Sequence, residues 1–172
     1  LRTEAALAEQ TRRMLKDDRV KAFSREFFGQ WLRYRDFISK DSINGESFPG
    51  YTDELRQAMF EEPTRLVTRL IHEDRPVTEL LNADSTLVNG VVARHYGGNS
   101  EREYRRRVTE WTAGRRERGL STHDTDNQWH RVSGLHESGR GGLFGMGVVL
   151  TSNSAGERTS PVKRGFWAVH HL

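Results

Sequence analysis

The residues best equipped for chemistry gather near the C-terminal end, in Arg158-Thr-Ser-Pro-Val-Lys-Arg-Gly165. Ser160 followed by Pro161 reads as a helix start. The serine oxygen can accept from a free backbone N–H, and proline at the first helical position forgoes no hydrogen bond. A helix N-terminus offers free donors and the positive end of the macrodipole. Arg158, Thr159, Ser160, Lys163 and Arg164, with Arg140 from the glycine-rich stretch before them, therefore form a candidate anion- or ligand-binding site. Plain capping with solvated or ion-paired bases is the simpler alternative.

Other groups carry weaker chemistry. His95 falls in the last turn of an expected helix, where an imidazolium meets the C-terminal dipole, so a structural role competes with a catalytic one. Met146, His170 and His171 are the side chains that could face a haem supplied by a neighbouring domain. His123, His130 and His136 with Asp124 and Asp126 match no metal-ligand spacing and read as loop residues. Asp53-Glu54 and Glu61-Glu62 are adjacent acids. On a helix such neighbours point about 100° apart, so both pairs read as surface charge and helix-start chemistry. No nucleophile elbow, P-loop, dinucleotide fingerprint or H-E-x-x-H occurs, and no catalytic residue is assigned. Arg105-Arg106-Arg107 and Arg115-Arg116 are interleaved with acids, which argues against a nucleic-acid footprint.

The elements that must position these groups read as mostly helical. Thr3 caps a first helix carrying Leu7, Met14 and Leu15. From about Asp18 a second helix places Val20, Phe23, Phe27, Trp31 and Leu32 on one inward stripe. Ser39 to Gly50 reads as a loop. Thr52 then caps a helix with Leu55, Met59, Leu66, Leu70 and Ile71, which Pro63 either kinks or divides. Pro76 opens a short helix with Val77, Leu80 and Leu81. Asp84 or Ser85 caps another, with Leu87, Val88, Val91, Val92 and His95 inward, closed by Gly97-Gly98. Residues 98–139 read as an irregular Arg-rich excursion, with room for one short helix or hairpin. Gly142 to Leu150 reads as a short helix or an edge strand. The final helix from Pro161 packs through Val162, Phe166 and Val169, with Trp167 a further candidate.

The expected fold is therefore mainly α: a helical bundle with an irregular Arg-rich insertion and a C-terminal Gly-rich segment leading into a final helix. Its expected parts are residues 1–97, 98–139 and 140–172, the last packed on the first. The 172 residues suffice to bury a core, and 30% charged against 34% hydrophobic residues suits a polar globular domain. The chain lacks cysteine, which excludes disulfides, thiolate zinc sites and covalent haem attachment within this segment. A net charge of +3 is mild. No apolar run reaches the roughly 18 residues of a membrane span. The chain opens on Leu1 without a methionine and stops in mid-pattern at His170-His171-Leu172, so it is expected to be a piece of a longer protein.

Several blocks carry a resemblance. They are Phe27-Phe-Gly-Gln-Trp-Leu32, Phe48-Pro-Gly-Tyr-Thr-Asp-Glu-Leu55 through Met59, and Glu73-Asp-Arg-Pro-Val-Thr-Glu-Leu-Leu81. Asn82-Ala-Asp-Ser-Thr-Leu-Val-Asn89, Ala93-Arg-His-Tyr-Gly97, Arg140-Gly-Gly-Leu143 and Arg158 to Gly165 follow in order. Together they resemble the planctomycete-type cytochrome-associated proteins, in which domain of unknown function 1592 is followed by domain of unknown function 1588. Pro63 stands where the family has threonine, and the gap between Gly97 and Arg140 is longer than the family's. The resemblance implies a non-haem helical portion of a secreted or periplasmic c-type-cytochrome-like multidomain protein, serving electron transfer or an associated oxidation. It implies no cofactor held by this segment alone, with haem c elsewhere in the parent protein. The implied partners are neighbouring domains, a cytochrome domain among them, rather than nucleic acid. The alternative is a non-catalytic binding or scaffolding module for polysaccharide or a partner protein, for which Trp31, Trp111, Trp129 and Trp167 are the residues to watch.

Overall fold

A computed structural model describes residues 3–39, 43, 46–154, 156 and 158–172. The first helix, α1 (Glu4–Leu15), is capped by Thr3, whose side chain accepts from the Ala6 N–H at 3.2 Å. None of its residues is buried, and Leu7 and Met14 stand in solvent.

The next stretch is a composite: α2 (Val20–Phe23), a π-helical segment over Ser24–Phe28, and α3 (Gly29–Trp31). A π turn inserts an extra residue and rotates the faces that follow relative to an α count. Val20, Ser24, Gly29 and Leu32 therefore turn inward, while Phe23, Phe27 and Trp31 turn out, Phe27 being 51% exposed. The expected inward stripe through Phe23, Phe27 and Trp31 is thus corrected. Those rings stack on one another along the surface, Phe23 on Phe27 at 5.1 Å. The loop expected over Ser39 to Gly50 lies partly outside the described residues.

The central element is α4 (Asp53–His72), twenty residues long, with Thr52 as its cap. Pro63 lies inside it without ending it. Proline removes one backbone donor to the carbonyl four residues back, and the packing of a long buried face outweighs that loss. Leu55, Met59, Leu66, Val67 and Leu70 feed one core together with Leu32, Tyr34, Phe37, Leu143, Met146 and Trp167. Ala58 belongs to a second core with Val88, Val92, Ala93, Tyr104 and Val132.

After a short α5 (Glu79–Asn82), residues expected to open a helix instead form β1 (Ser85–Val88). It pairs antiparallel with β2 (His130–Ser133), Ser85 opposite Ser133 and Val88 opposite His130. Thr86-Leu87-Val88 offers β-branched and apolar side chains suited to a strand buried on both faces, a run that periodicity cannot separate from a helix. The helix begins later, as α6 (Gly90–Tyr96), with Asn89 Oδ1 accepting from the Val92 N–H at 3.1 Å.

Residues 98–117, expected to be irregular, are instead one helix, α7 (Gly98–Glu117). Its apolar content is low, and pairs such as Arg106–Glu103, Arg106–Glu110 and Arg107–Glu103 knit its exposed face. Helix α7 packs on α6 and β2, with Tyr104 buried between them. The Gly-rich segment resolves into a helix, α8 (Gly147–Ser152), rather than an edge strand.

The last helix, α9 (Pro161–His171), starts as expected, with Ser160 Oγ accepting from the Lys163 N–H at 3.3 Å. Of the four residues expected to pack it, one does so. Trp167 is buried and donates its indole N–H to the Leu32 carbonyl at 3.1 Å. Val162, Phe166 and Val169 face outward, Val162 and Val169 each 82% exposed. The protein is thus mainly α, with one two-stranded ribbon among the described residues. Among the described residues no helix is long and apolar enough to cross a membrane.

Candidate functional site

Two arrangements stand out. The first is a polar network around a buried acid. Glu62 projects from the middle of α4 and is 1% exposed, so its expected place on the surface is corrected. Its neighbour Glu61 meets that expectation in part, pairing with Lys21 at 3.0 Å and Arg65 at 3.4 Å. Glu62 is inward because α4 buries a wide face against β1 and α6, and position 62 falls in it.

A buried carboxyl needs partners. The Thr86 hydroxyl of β1 donates to Glu62 Oε1 at 3.0 Å, and the Tyr96 hydroxyl of α6 donates to Oε2 at 2.5 Å. Tyr96 in turn accepts from the Gly147 N–H at 2.8 Å. That amide sits in the first turn of α8, where no intrahelical acceptor exists, so the phenol satisfies an otherwise orphaned donor. A Cβ at 147 would lie 2.8 Å from the Met59 methyl, so a larger residue there would have to push the Met59 side chain aside.

Arg140 stacks its guanidinium over the Tyr96 ring, 3.5 Å from the centroid, and donates to the Gly145 carbonyl. Burial pushes the Glu62 carboxyl up to about 7 against the opposing pull of the Tyr96 and Thr86 hydroxyls and of Arg140. Burial and the adjacent carboxyl raise the Tyr96 phenol well above its ordinary value. Glu62 can hold a proton or release it near neutrality while staying hydrogen-bonded in both forms.

The second arrangement is a cavity of about 650 Å³ on the other side of Met59 and His95. Its apolar walls come from Phe48 and Tyr51 of the loop before α4, Met59 of α4 and Leu150 of α8. Its polar rim holds His95 of α6, Thr151 of α8, then Arg158, Thr159 and Arg164. Arg164 donates to the Thr159 hydroxyl. Partial desolvation, and then the charge of Arg140, hold the His95 imidazole below its ordinary value. At neutral pH that ring is uncharged and can donate or accept a hydrogen bond.

The structure brings Arg158, Thr159 and Arg164 together at this rim. Ser160 caps α9, and Lys163 lines a separate groove with Phe166 and His171. Arg140 belongs to the Glu62 network instead. Met146 is buried in the first core. His170 Nδ1 lies 2.8 Å from the Phe166 carbonyl with its ring stacked on Phe166, and His171 Nδ1 lies 3.0 Å from the Trp167 carbonyl. Met146 and the two histidines therefore do not converge on one position. Of the tryptophans, Trp31 is exposed, Trp167 is buried, and Arg65 and Arg115 lie over the rings of Trp129 and Trp111. Among the described residues no three of His, Cys, Asp and Glu gather closely enough to hold a metal ion.

The sequence reading placed Glu62 on the surface and passed over Thr86 and the joint apolar walls of the cavity. The one available signal was position 62 itself, three residues after Met59 and four before Leu66 on the same helical face.

No curated protein and no solved structure matches this chain. The family model described as a protein of unknown function, DUF1592 (PSD4), matches residues 1–97, which hold α1 to α6 and both Glu62 and Tyr96. A match over more than half of the length is enough to identify it, and the chain belongs to the DUF1592 family.

Proposed function

We propose that this chain is a non-haem, ligand-binding portion of a larger polypeptide. The observation that supports this reading is the cavity beside His95, which joins apolar walls to a rim carrying two arginines. Ligand sites are concave, mostly apolar and oriented by a few polar groups, and about 650 Å³ lies within their usual range. Anilinonaphthalene sulfonate, an aromatic anion that fluoresces in apolar sites, tests it on the 172-residue chain. Saturable one-to-one binding is expected. It should be lost in Thr151→Trp, which fills the cavity, and kept in Phe27→Ser, which breaks the exposed aromatic ridge. Circular dichroism checks the fold of each variant, with Ser154→Trp as a second cavity filler. Binding that survives both fillers and disappears with Phe27→Ser refutes the reading.

A second reading concerns the setting. Arg140 to Leu143 and Arg158 to Gly165 follow the family segment in the order expected when domain of unknown function 1588 follows 1592. That order supports a secreted or periplasmic parent with a c-type cytochrome domain as neighbour, so that the chain serves electron transfer or an associated oxidation without holding haem itself. A pyridine haemochrome spectrum of the intact parent polypeptide tests this. A c-type band is expected, and its absence overturns the cytochrome setting while leaving the binding reading in place.

A further inference from the structure

We propose that the ligand of this cavity is an amphipathic carboxylate, its headgroup held between Arg158 and Arg164 and its apolar body lying over Met59, Tyr51 and Leu150. The inference rests on the binding reading above and adds the chemical class of the ligand.

The charge of the cavity lining carries it. Several arginines elsewhere meet acids: Arg94 meets Asp126 at 3.0 Å, Arg105 meets Glu101 at 2.5 Å, and Arg106 bridges Glu103 and Glu110. The two arginines that line the cavity do not. Among the described residues neither Arg158 nor Arg164 pairs with an acid, and no aspartate or glutamate lines the cavity. The partner of Arg164 is the neutral Thr159 hydroxyl, which orients the guanidinium without neutralising it. Two like charges lining one cavity disfavour one another, and an anion bound there offsets both.

The shape of the site narrows the class. Guanidinium is planar and presents paired N–H donors that match the two oxygens of a carboxylate. His95, uncharged at neutral pH, supplies a ring nitrogen for hydrogen bonding without adding charge, which suits a monoanionic head better than a dianion. Below the rim the walls are side-chain hydrocarbon, thioether and phenyl surface. Inorganic phosphate would leave that surface in water, whereas a carboxylate bearing an apolar body would cover it.

Displacement of bound anilinonaphthalene sulfonate decides the matter. The competitors are phenylbutyrate, its uncharged amide phenylbutyramide, and inorganic phosphate, at fixed ionic strength. Phenylbutyrate should displace the dye at about tenfold lower concentration than the amide, the worth of a charge-assisted hydrogen-bond pair over a neutral one. Phosphate should be weaker than both. Arg158→Gln/Arg164→Gln should bring acid and amide to equal potency. Equal potency in the unaltered protein overturns the carboxylate while leaving a binding cavity. Phosphate matching phenylbutyrate overturns the amphipathic ligand. If the dye itself fails to bind, the binding reading falls, and this inference with it.

Discussion

Replacing Glu62 by glutamine removes one titrating proton from the centre of the molecule and leaves the shape nearly unchanged. The amide oxygen can still accept from Tyr96, and the amide nitrogen can donate to the Thr86 oxygen, so both bonds to position 62 survive. The ordinary glutamate value is 4.5 and burial raises it to about 7 in the folded protein. Because the folded value lies above the unfolded one, the stabilisation is fully present below about pH 4.5 and is lost as pH rises through about 7. Over that window the folded state holds a proton that the unfolded state has released. Unfolding free energy should therefore fall by about 1.4 kcal/mol per pH unit, or roughly 3 kcal/mol in total. His95 and His130, both held below their ordinary values by desolvation, push the other way, because they must charge as pH falls. Their contribution is common to both proteins and cancels in the difference. Urea denaturation followed by tryptophan fluorescence, from pH 4.5 to 8.5 with a constant m-value, gives that difference directly. Relative to Glu62→Gln, the wild type should lose about 3 kcal/mol across the window. A flat difference would mean that Thr86, Tyr96 and Arg140 hold the carboxylate ionised throughout, and the argument from burial would be refuted.

Two further substitutions test the packing. Gly142 has φ of +50°, and a Cβ there would lie 2.3 Å from the Leu81 carbonyl. Gly142→Ala should destabilise by about 3 kcal/mol or more, whereas Gly114→Ala, in open space on α7, should stabilise by about 0.5–1 kcal/mol. Comparable melting temperatures for the two variants would contradict the close approach. Trp167→Phe removes the one hydrogen bond joining α9 to the Leu32 carbonyl and should cost about 1–2 kcal/mol. Hydrogen exchange should then quicken along α9 with little change in α4, and unchanged protection of α9 would show that some other contact holds it.

Local chemistry was legible wherever a residue acts on its own backbone. Thr3, Thr52 and Ser160 cap the helices they were expected to cap, because a hydroxyl beside free N–H groups acts over three residues and needs no distant partner. The mainly α character followed from the same short-range signals. The cationic run from Arg158 to Arg164 was legible as a candidate site for a related reason: a helix start and its basic neighbours are contiguous in the chain.

The tertiary structure alone decided which faces turn inward and what meets there. A five-residue π segment over Ser24–Phe28 shifted the faces beyond it, so that Leu32 turns inward and Trp31 does not, as the α count there no longer held. Residues 85–88 became a strand because 130–133, some forty-five positions away, supplied the pairing edge. Glu62 reads in sequence like its partly exposed neighbour Glu61, and it is buried because β1, α6 and the first turn of α8 converge on it. The cavity likewise draws on residues from Phe48 to Arg164, whose joint surface exists only after α4, α6 and α8 have packed. Caps and propensities are fixed within a turn or two of chain. Burial, desolvation and the walls of a site are set by contacts between distant segments, and neither composition nor periodicity encodes them.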